Sequence, residues 1–571
     1  MSLIRLFLLV SCAASVSAQQ VRITLLATTD LHGNLYPYDY FTAKPAARGL
    51  AKIATLIREE RERNPNHLLI DCGDTIQGSP LESVYQNYVR AGKLPEGLAF
   101  TAQPLQTDPM MAAMNLIGYD AMVVGNHEFN FGLRNLERAR GDARFPWLSA
   151  NISAVSAPIK PFAPYLVKTL AGVKIGIIGI TTPAVPGWEK PENYRGLEFQ
   201  DAVDAARRAL ADLRARHHPD LVLIAAHAGL DRDLKTGRIR PGETGAENPV
   251  YQLAGQLHGI DAIVFGHSHQ QLEDFRAGGV LLVQPKNWGI SLARLDFELE
   301  RKAGRWSVIS KSGKLIPVTR TTEADEKILA LAKPYHDLTE RYLELPVAES
   351  PAAMDGALSR VEDTPLVDAI GQVQLFYSKA DVSLTAMFNP RVHFRQGPVT
   401  VRQIAALYIY DNELYAIEGN GGMLREALEN SARYFIGCPQ GLCPPGALIN
   451  PAIMGFNFDM AQGVQYEIDL TQPEGARIRN LRFRGKPLGD AQPLRIALNN
   501  YRAGGSGGYA MFRGARVVWK SGEEIRDLII SYYTEHKILP AKADGNWRVI
   551  PQSARDRLIA EARAAARNAV Y

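Results

Sequence analysis

Short apolar runs recur along the first half of the chain, and each stops abruptly at a cluster of Gly, Asp, Asn or His. The runs are Ile23 to Ala27, Leu68 to Ile70, Ala121 to Val124, Leu221 to Ala226 and Ala262 to Phe265. Short unbroken apolar segments bounded by turn residues predict buried strands, and Ala171 to Ile180 predicts another. Between them, Gly49 to Arg63, Asp108 to Ile117 and Asp201 to His217 carry helical periodicity. Strand–helix alternation of this kind predicts an α/β domain over about Val21 to Arg320.

The pattern changes after a strand-like Ile316 to Thr319. Glu323 to Leu345 is charged and helical in period, with Pro334 expected to interrupt it and Pro346 to end it. Residues 321–346 read as a helical connector. Residues 347–540 then mix helical segments (Thr364 to Tyr377, Met423 to Tyr434) with short runs that read as strands. These runs are Val382 to Ala386, Val399 to Leu407, Leu414 to Glu418, Gln465 to Leu470 and Leu494 to Leu498. That mixture predicts a second, α+β domain. Residues 541–571 form a tail whose Arg- and Ala-rich Ser553 to Ala569 predicts a solvated terminal helix.

The turns after the five strands hold the chemistry. They read Asp30-Leu31-His32-Gly33, Gly73-Asp74, Gly125-Asn126-His127-Glu128, His227 before a glycine, and Gly266-His267-Ser268-His269. Each motif is weak alone, since a lone His is more often a hydrogen-bonded core residue than a ligand. Five in order, each at a strand end, predict a metal site. Two divalent cations about 3.5–4 Å apart need a shared carboxylate against their repulsion. Asp74 suits that role. Asp30, His32 and His269 would complete one site, and Asn126, His227 and His267 the other. Mixed O and N ligands suit Zn, Mn, Fe, Co or Ni. A hydroxide held between the metals would attack phosphorus at neutral pH. His127 adjoins a ligand without being one, and its expected task is to assist the leaving oxygen. His217, His218, His258 and His336 lack this context and read as surface residues.

These motifs resemble the calcineurin-like metallophosphoesterases, and within them the exported 5′-nucleotidase family. The likeness extends over nearly the whole chain, and is strongest to the 2′,3′-cyclic-nucleotide 2′-phosphodiesterase/3′-nucleotidase branch. It is carried by Thr28-Thr29-Asp30-Leu31-His32, by Gly73 to Pro80 and by Gly125 to Asn130. The 5′-nucleotidase pattern has Asp where this chain has Asn130, which favours the cyclic-phosphodiesterase branch. The resemblance implies two facing mixed sheets flanked by helices in the first domain. It also implies a nucleobase clamp of two aromatics in the second, and motif matching selects Tyr410 and Tyr501. In the same domain Ser506 stands where the 5′-nucleotidases have an Asp. The family's Gly-Gly-x-Arg anion motif is replaced by a segment in which Arg391 or Arg395 is expected to take over the anion contact and Asn389 to make a polar contact to the ligand. The implied reaction is hydrolysis of 2′,3′-cyclic nucleotides and 3′-nucleotides. The alternatives are a 5′-nucleotidase or nucleotide-sugar hydrolase, a thiosulfohydrolase sharing the metal domain, and a catalytically silent nucleotide-binding surface protein.

Composition adds three constraints. A net charge of +4 with no basic block, and no aromatics interleaved with Lys or Arg runs, gives no signature of nucleic-acid polymer binding. A small anionic ligand remains compatible, and a monomer is expected. The N-terminus reads as a secretory signal, with Arg5, an apolar Leu6 to Ala14 and a small-residue cleavage site ending at Ala18. The rival reading is a lipoprotein box at Cys12. The apolar stretch is too short for a membrane span, which needs about 20 residues. Periplasmic or other export follows, and in an oxidising compartment Cys438 and Cys443 are expected to pair. Cys72 reads as a buried packing residue.

Overall fold

The computed structural model describes residues 19–89, 92–95, 98, 107–232, 238–239, 246–410 and 412–568. The segment read as a secretory signal, with Cys12, lies outside them. The chain forms two compact units. The first comprises described residues up to Pro37, Ala47–Gln77 and Thr107–Ala332. The second comprises Lys333 onward together with two segments from the N-terminal half, Tyr38–Ala46 and the described part of Gly78–Gln106.

The first unit is a sandwich of two six-stranded mixed sheets, the α/β architecture expected. One sheet runs in the order Arg305–Pro317, Ser291–Lys302, Gln19–Thr28, His67–Asp71, Ala121–Val123, Trp147–Leu148. Its last four strands are parallel, with Leu26 opposite Leu69 and Ile70 opposite Ala121. The other runs Leu272–Ala277, Val280–Gln284, Ala262–Phe265, Leu221–His227, Val173–Thr181, Tyr165–Leu170. Its four inner strands are parallel too.

Side-chain alternation along each strand explains the layering. Ile23, Leu25, Ala27, Leu68, Ile70, Leu223 and Val264 point inward and form the layer between the sheets. Leu26, Leu69 and Met122 point outward against Leu50–Arg63 and Pro109–Ile117, and Val222, Ile224 and Ile263 against Ala202–His217 and Val250–Gln256. Being apolar on both faces, these strands read as continuous runs. Each fully buried Leu, Ile or Val contributes roughly 1.5–3 kcal/mol. The helices begin where the sequence supplies caps. Asp108 accepts from the Met110 and Met111 amides ahead of Pro109, and Asp201 accepts from the Asp204 amide. Gly118, at φ 82°, ends the first of these helices.

The second unit holds a five-stranded sheet ordered Asp459–Gln462, Val382–Ala386, Pro493–Asn499, Glu413–Asn420, Val517–Glu524. A four-stranded sheet includes Val464–Asp469 and Trp547–Ile550. Helices Pro365–Ser378, Gly421–Ala432 and Ile525–His536 pack into the same core, an α+β arrangement.

Four expectations are corrected. The C-terminal helix Gln552–Asn568 is not simply solvated, because Ala554, Leu558 and Ala562 are buried in the core of the second unit. Pro334 does not interrupt its helix, which runs unbroken over Glu326–Leu343. The Val399–Leu407 run is a strand only as far as Thr400 and continues as helix Val401–Leu407. Thr400 and Gln403 form a reciprocal capping box that starts that helix. His336 is not a free surface residue, because Tyr40 Oη lies 2.9 Å from its Nδ1 and burial lowers its pKa. Cys438 and Cys443 form a disulfide, and Cys72 is buried and free. Among the described residues no helix is long and apolar enough to cross a membrane.

Candidate metal centre

The parallel strands of both sheets deliver their C-terminal ends to one place. Thr181 Oγ1 donates to the Val124 carbonyl at 2.7 Å, and His227 Nδ1 donates to the Cys72 carbonyl at 2.8 Å, tying the sheets together there. The turns beyond are tight. Asp30, His32, Asp74, His267 and His269 all have positive φ, between 46° and 72°. Left-handed backbone is costly for non-glycine residues and clusters at functional sites. Gly73 (φ +94°) and Gly125 make the turns possible, since a Cβ on Gly125 would sit 2.2 Å from Asp74 Oδ1.

Two triads result. Asp30, His32 and His269 offer ligand atoms within 4.8 Å of one another, and so do Asp74, His227 and His267. Asp74 Oδ2 lies 3.0 Å from His227 Nε2 and 3.8 Å from His32 Nε2, so it faces both groups. Asn126 Oδ1 sits 3.1 Å from His227 Nε2, and His32 Nε2 sits 3.0 Å from His269 Nε2.

The hydrogen bonds show whether cations suit these triads. His227 Nδ1 faces a carbonyl, and His32 Nδ1 faces the Gln77 carbonyl at 3.0 Å. Carbonyls only accept, so both Nδ1 atoms carry protons and both Nε2 atoms aim inward. Around His227 Nε2 the neighbours are a carboxylate and an amide oxygen, an electron-rich set that calls for a positive charge. Without a metal a proton supplies it. Burial opposes that proton, but Asp74, Asp30 and Glu128 outweigh burial and raise His227 to about 10. His32 behaves oppositely: burial and His269 lower it to about 4, which leaves a neutral imidazole ready to coordinate. Burial disfavours the Asp74 charge, but His227 and His127 together hold its carboxyl well below the usual range. The donor set therefore fits divalent cations.

His127 stands at the edge. Its backbone N–H donates to Asp74 Oδ1 at 2.8 Å, and its Nε2 lies 4.0 Å from Asp74 Oδ2. Two buried carboxylates, given no role from sequence, shape the turns. Glu128 accepts from the amides of Asp74, Thr75 and Gly125. Asp71 accepts from Thr28 Oγ1, Thr75 Oγ1 and the Gly73 amide, and burial raises it to about 7. Glu128 stood within a recognised motif. Nothing in the sequence showed that its side chain turns back onto backbone. Glu247 was missed as well; its Oε1 is 3.2 Å from His267 Nε2.

In the second unit Tyr408 is fully buried while Tyr410 and Tyr501 are 41% and 47% exposed. Phe388 packs edge-on against both Tyr408 and Tyr410. Burial raises the Tyr410 hydroxyl, Arg360 and Arg502 lower it and Tyr501 raises it, which places these groups in one neighbourhood. Arg502, missed from sequence, is buried in a bidentate pair with Asp459 at 2.8 and 3.0 Å and lies 5.4 Å from the Tyr501 ring. Arg360, also missed, donates to the Met387 and Phe388 carbonyls. Asn389 spends its amide on the loop, donating to the Ala406 carbonyl and accepting from the Arg391 N–H. Arg391 and Arg395 are exposed, and Ser506 is half-buried with its carbonyl accepting from Arg502.

Residues 23–271 match the family model of calcineurin-like phosphoesterases, and residues 346–514 that of the 5′-nucleotidase C-terminal domain. The chain is 31% identical to the 2′,3′-cyclic-nucleotide 2′-phosphodiesterase/3′-nucleotidase of Salmonella typhimurium, over 94% of this chain and 90% of that protein. It is 30% identical to the trifunctional nucleotide phosphoesterase protein YfkN of Bacillus subtilis, over 95% of this chain and 40% of that longer one. A solved structure assigned as a 5′-nucleotidase from Staphylococcus aureus, in complex with alpha-ketoglutarate, superposes with a TM-score of 0.75. It is 27% identical and covers 93% of this chain and 100% of its own. The chain belongs to the calcineurin-like phosphoesterases that carry a 5′-nucleotidase C-terminal domain, a family of phosphoric ester hydrolases.

Proposed function

We propose that the protein is an exported phosphoesterase that uses two divalent cations to hydrolyse 2′,3′-cyclic nucleotides and 3′-nucleotides. The observation that carries this reading is Asp74 Oδ2 facing His227 and His32, one from each triad. Asp30, His32 and His269 would hold one cation, Asn126, His227 and His267 would hold the other, and Asp74 would serve both. When bound, the pair supplies the Lewis acidity that makes water nucleophilic at neutral pH and neutralises phosphoryl charge.

The chain's own residues do the rest. Asn126 contacts a phosphoryl oxygen. His127 assists departure of the ribose oxygen from the exposed edge of the centre. Tyr410 and Tyr501 stack on the base, with Phe388 behind one ring and Arg502 beside the other. Asn389 keeps the loop that presents Arg391 to an anionic substrate, and Ser506 lies beside the ribose. Export is supported by the Cys438–Cys443 disulfide, because such bonds persist in oxidising compartments.

Parallel assays of manganese-loaded enzyme on 2′,3′-cyclic AMP, 3′-AMP, 5′-AMP and UDP-glucose test the proposal. The expected result is the highest kcat/KM on the first two. Turnover confined to 5′-AMP or UDP-glucose overturns the substrate assignment.

A further inference from the structure

We infer that Glu189 is a positioning residue that fixes the His127 imidazole through the side chain of Asn130. The inference rests on the catalytic role proposed for His127 and adds a group that the sequence motifs do not contain.

Three side chains form a line. His127 Nδ1 is 2.6 Å from Asn130 Oδ1, and Asn130 Nδ2 donates to Glu189 Oε2 at 2.7 Å. The other carboxylate oxygen, Glu189 Oε1, accepts from Asn193 Nδ2 at 2.8 Å and from the Lys190 amide at 2.7 Å. Asn193 Nδ2 also donates to the Asn130 carbonyl, so backbone and side chain of Asn130 are both held. Glu189 is 5% exposed, directly after the short helix Val185–Trp188, and far in sequence from the His127 motif.

Hydrogen-bond logic runs one way along this line. A carboxylate only accepts, so Asn130 must turn its NH2 toward Glu189 and its carbonyl toward His127. An amide oxygen also only accepts, so His127 Nδ1 must carry a proton and Nε2 faces Asp74. Without Glu189 the Asn130 amide is free to flip and present NH2 to the imidazole, which forces the opposite tautomer. Asn130 Nδ2, Asn193 Nδ2 and the Lys190 amide all donate to Glu189. Glutamine at this position would set its own NH2 against one of them, however it turned. The carboxylate that would otherwise sit at position 130 is thus placed one hydrogen bond further out.

The test uses zinc-loaded protein labelled with 15N-histidine, with His127→Ala to assign the His127 signal, and kinetics on 3′-AMP. Wild type should show a single Nδ1–H tautomer. Glu189→Gln should lose that single form and lower kcat by about tenfold or more, with KM within about twofold. Asn130→Asp alone sets two carboxylates face to face and should also lower kcat. In Asn130→Asp/Glu189→Gln the new amide donates to the new carboxylate, and kcat should return to within about threefold of wild type. Wild-type kcat and a wild-type His127 signal in Glu189→Gln overturn the inference. So does a double variant no faster than Glu189→Gln. If wild-type protein hydrolysed no phosphoester, the functional proposal would fail, while the tautomer measurement would still decide the role of Glu189.

Discussion

His127 and Asn126 are neighbours in sequence with different surroundings. Asn126 Oδ1 faces the His227 imidazole, whereas the His127 side chain is 30% exposed and Nε2 stands 4.0 Å from Asp74. A group placed there would act on a substrate more than on bound cations. His127→Ala should lower kcat by about 10²–10⁴-fold with little change in KM, measured by steady-state kinetics at saturating metal. Gly125 shows the opposite dependence. A methyl group there meets Asp74 Oδ1, the Asp74 N–H and Glu128 Oε2, all within 2.8 Å. Gly125→Ala should lose bound metal as well as turnover, seen as sub-stoichiometric metal by elemental analysis. The residue types of the centre were legible because Asp, Asn and His in glycine-flanked turns are unusual together. Glu128, Glu189 and Glu247 were not, because a lone Glu carries no signal until its partners are placed.

At the scale of elements, strands were readable because burial on both faces removes polar residues from them. The helix Val401–Leu407 was misread because a short run rich in Val, Ile and Leu suits either state, and a side-chain cap at Thr400 decided between them. Helix Pro365–Ser378 carries Asp368 in its first turn, and oxygens of Asp363, Asp368 and Asp544 lie within 4.8 Å of one another. Burial, then the Asp363 charge, raises the Asp368 carboxyl to about 8. The folded state therefore holds this proton more tightly than the unfolded chain. The associated stability is full below the unfolded value, about 4, and is lost as pH rises through about 8. Asp368→Asn, whose amide can donate to Asp363, should gain roughly 1–2 kcal/mol at pH 9 and nothing at pH 4. Denaturant melts of both proteins at the two pH values measure this.

For the whole molecule, the division of labour between the two units sets separate expectations. Cations bound at the proposed centre would join loops from both sheets of the first unit. Chelation should abolish turnover and lower its thermal midpoint, and manganese should restore both, followed by calorimetry and activity on one sample. The second unit carries the exposed tyrosines. Tyr410→Ala or Tyr501→Ala should raise KM for 3′-AMP by about 5–150-fold, the equivalent of about 1–3 kcal/mol of stacking, with metal content unchanged.

By itself the sequence determined the alternation of strands and helices, the two-part organisation and the residue types of the centre. Those follow from local periodicity and from side-chain chemistry, which need no knowledge of neighbours. Only the tertiary structure decided that Glu128 and Asp71 turn back onto the backbone of the metal-site turns and that Tyr410 is exposed while Tyr408 is buried. It alone decided, too, that residues 38–46 join the second unit and that Glu189 stands behind Asn130. The reason is physical: convergence of turns from different strands, and burial of a carboxylate among donors, arise from packing between segments far apart in the chain.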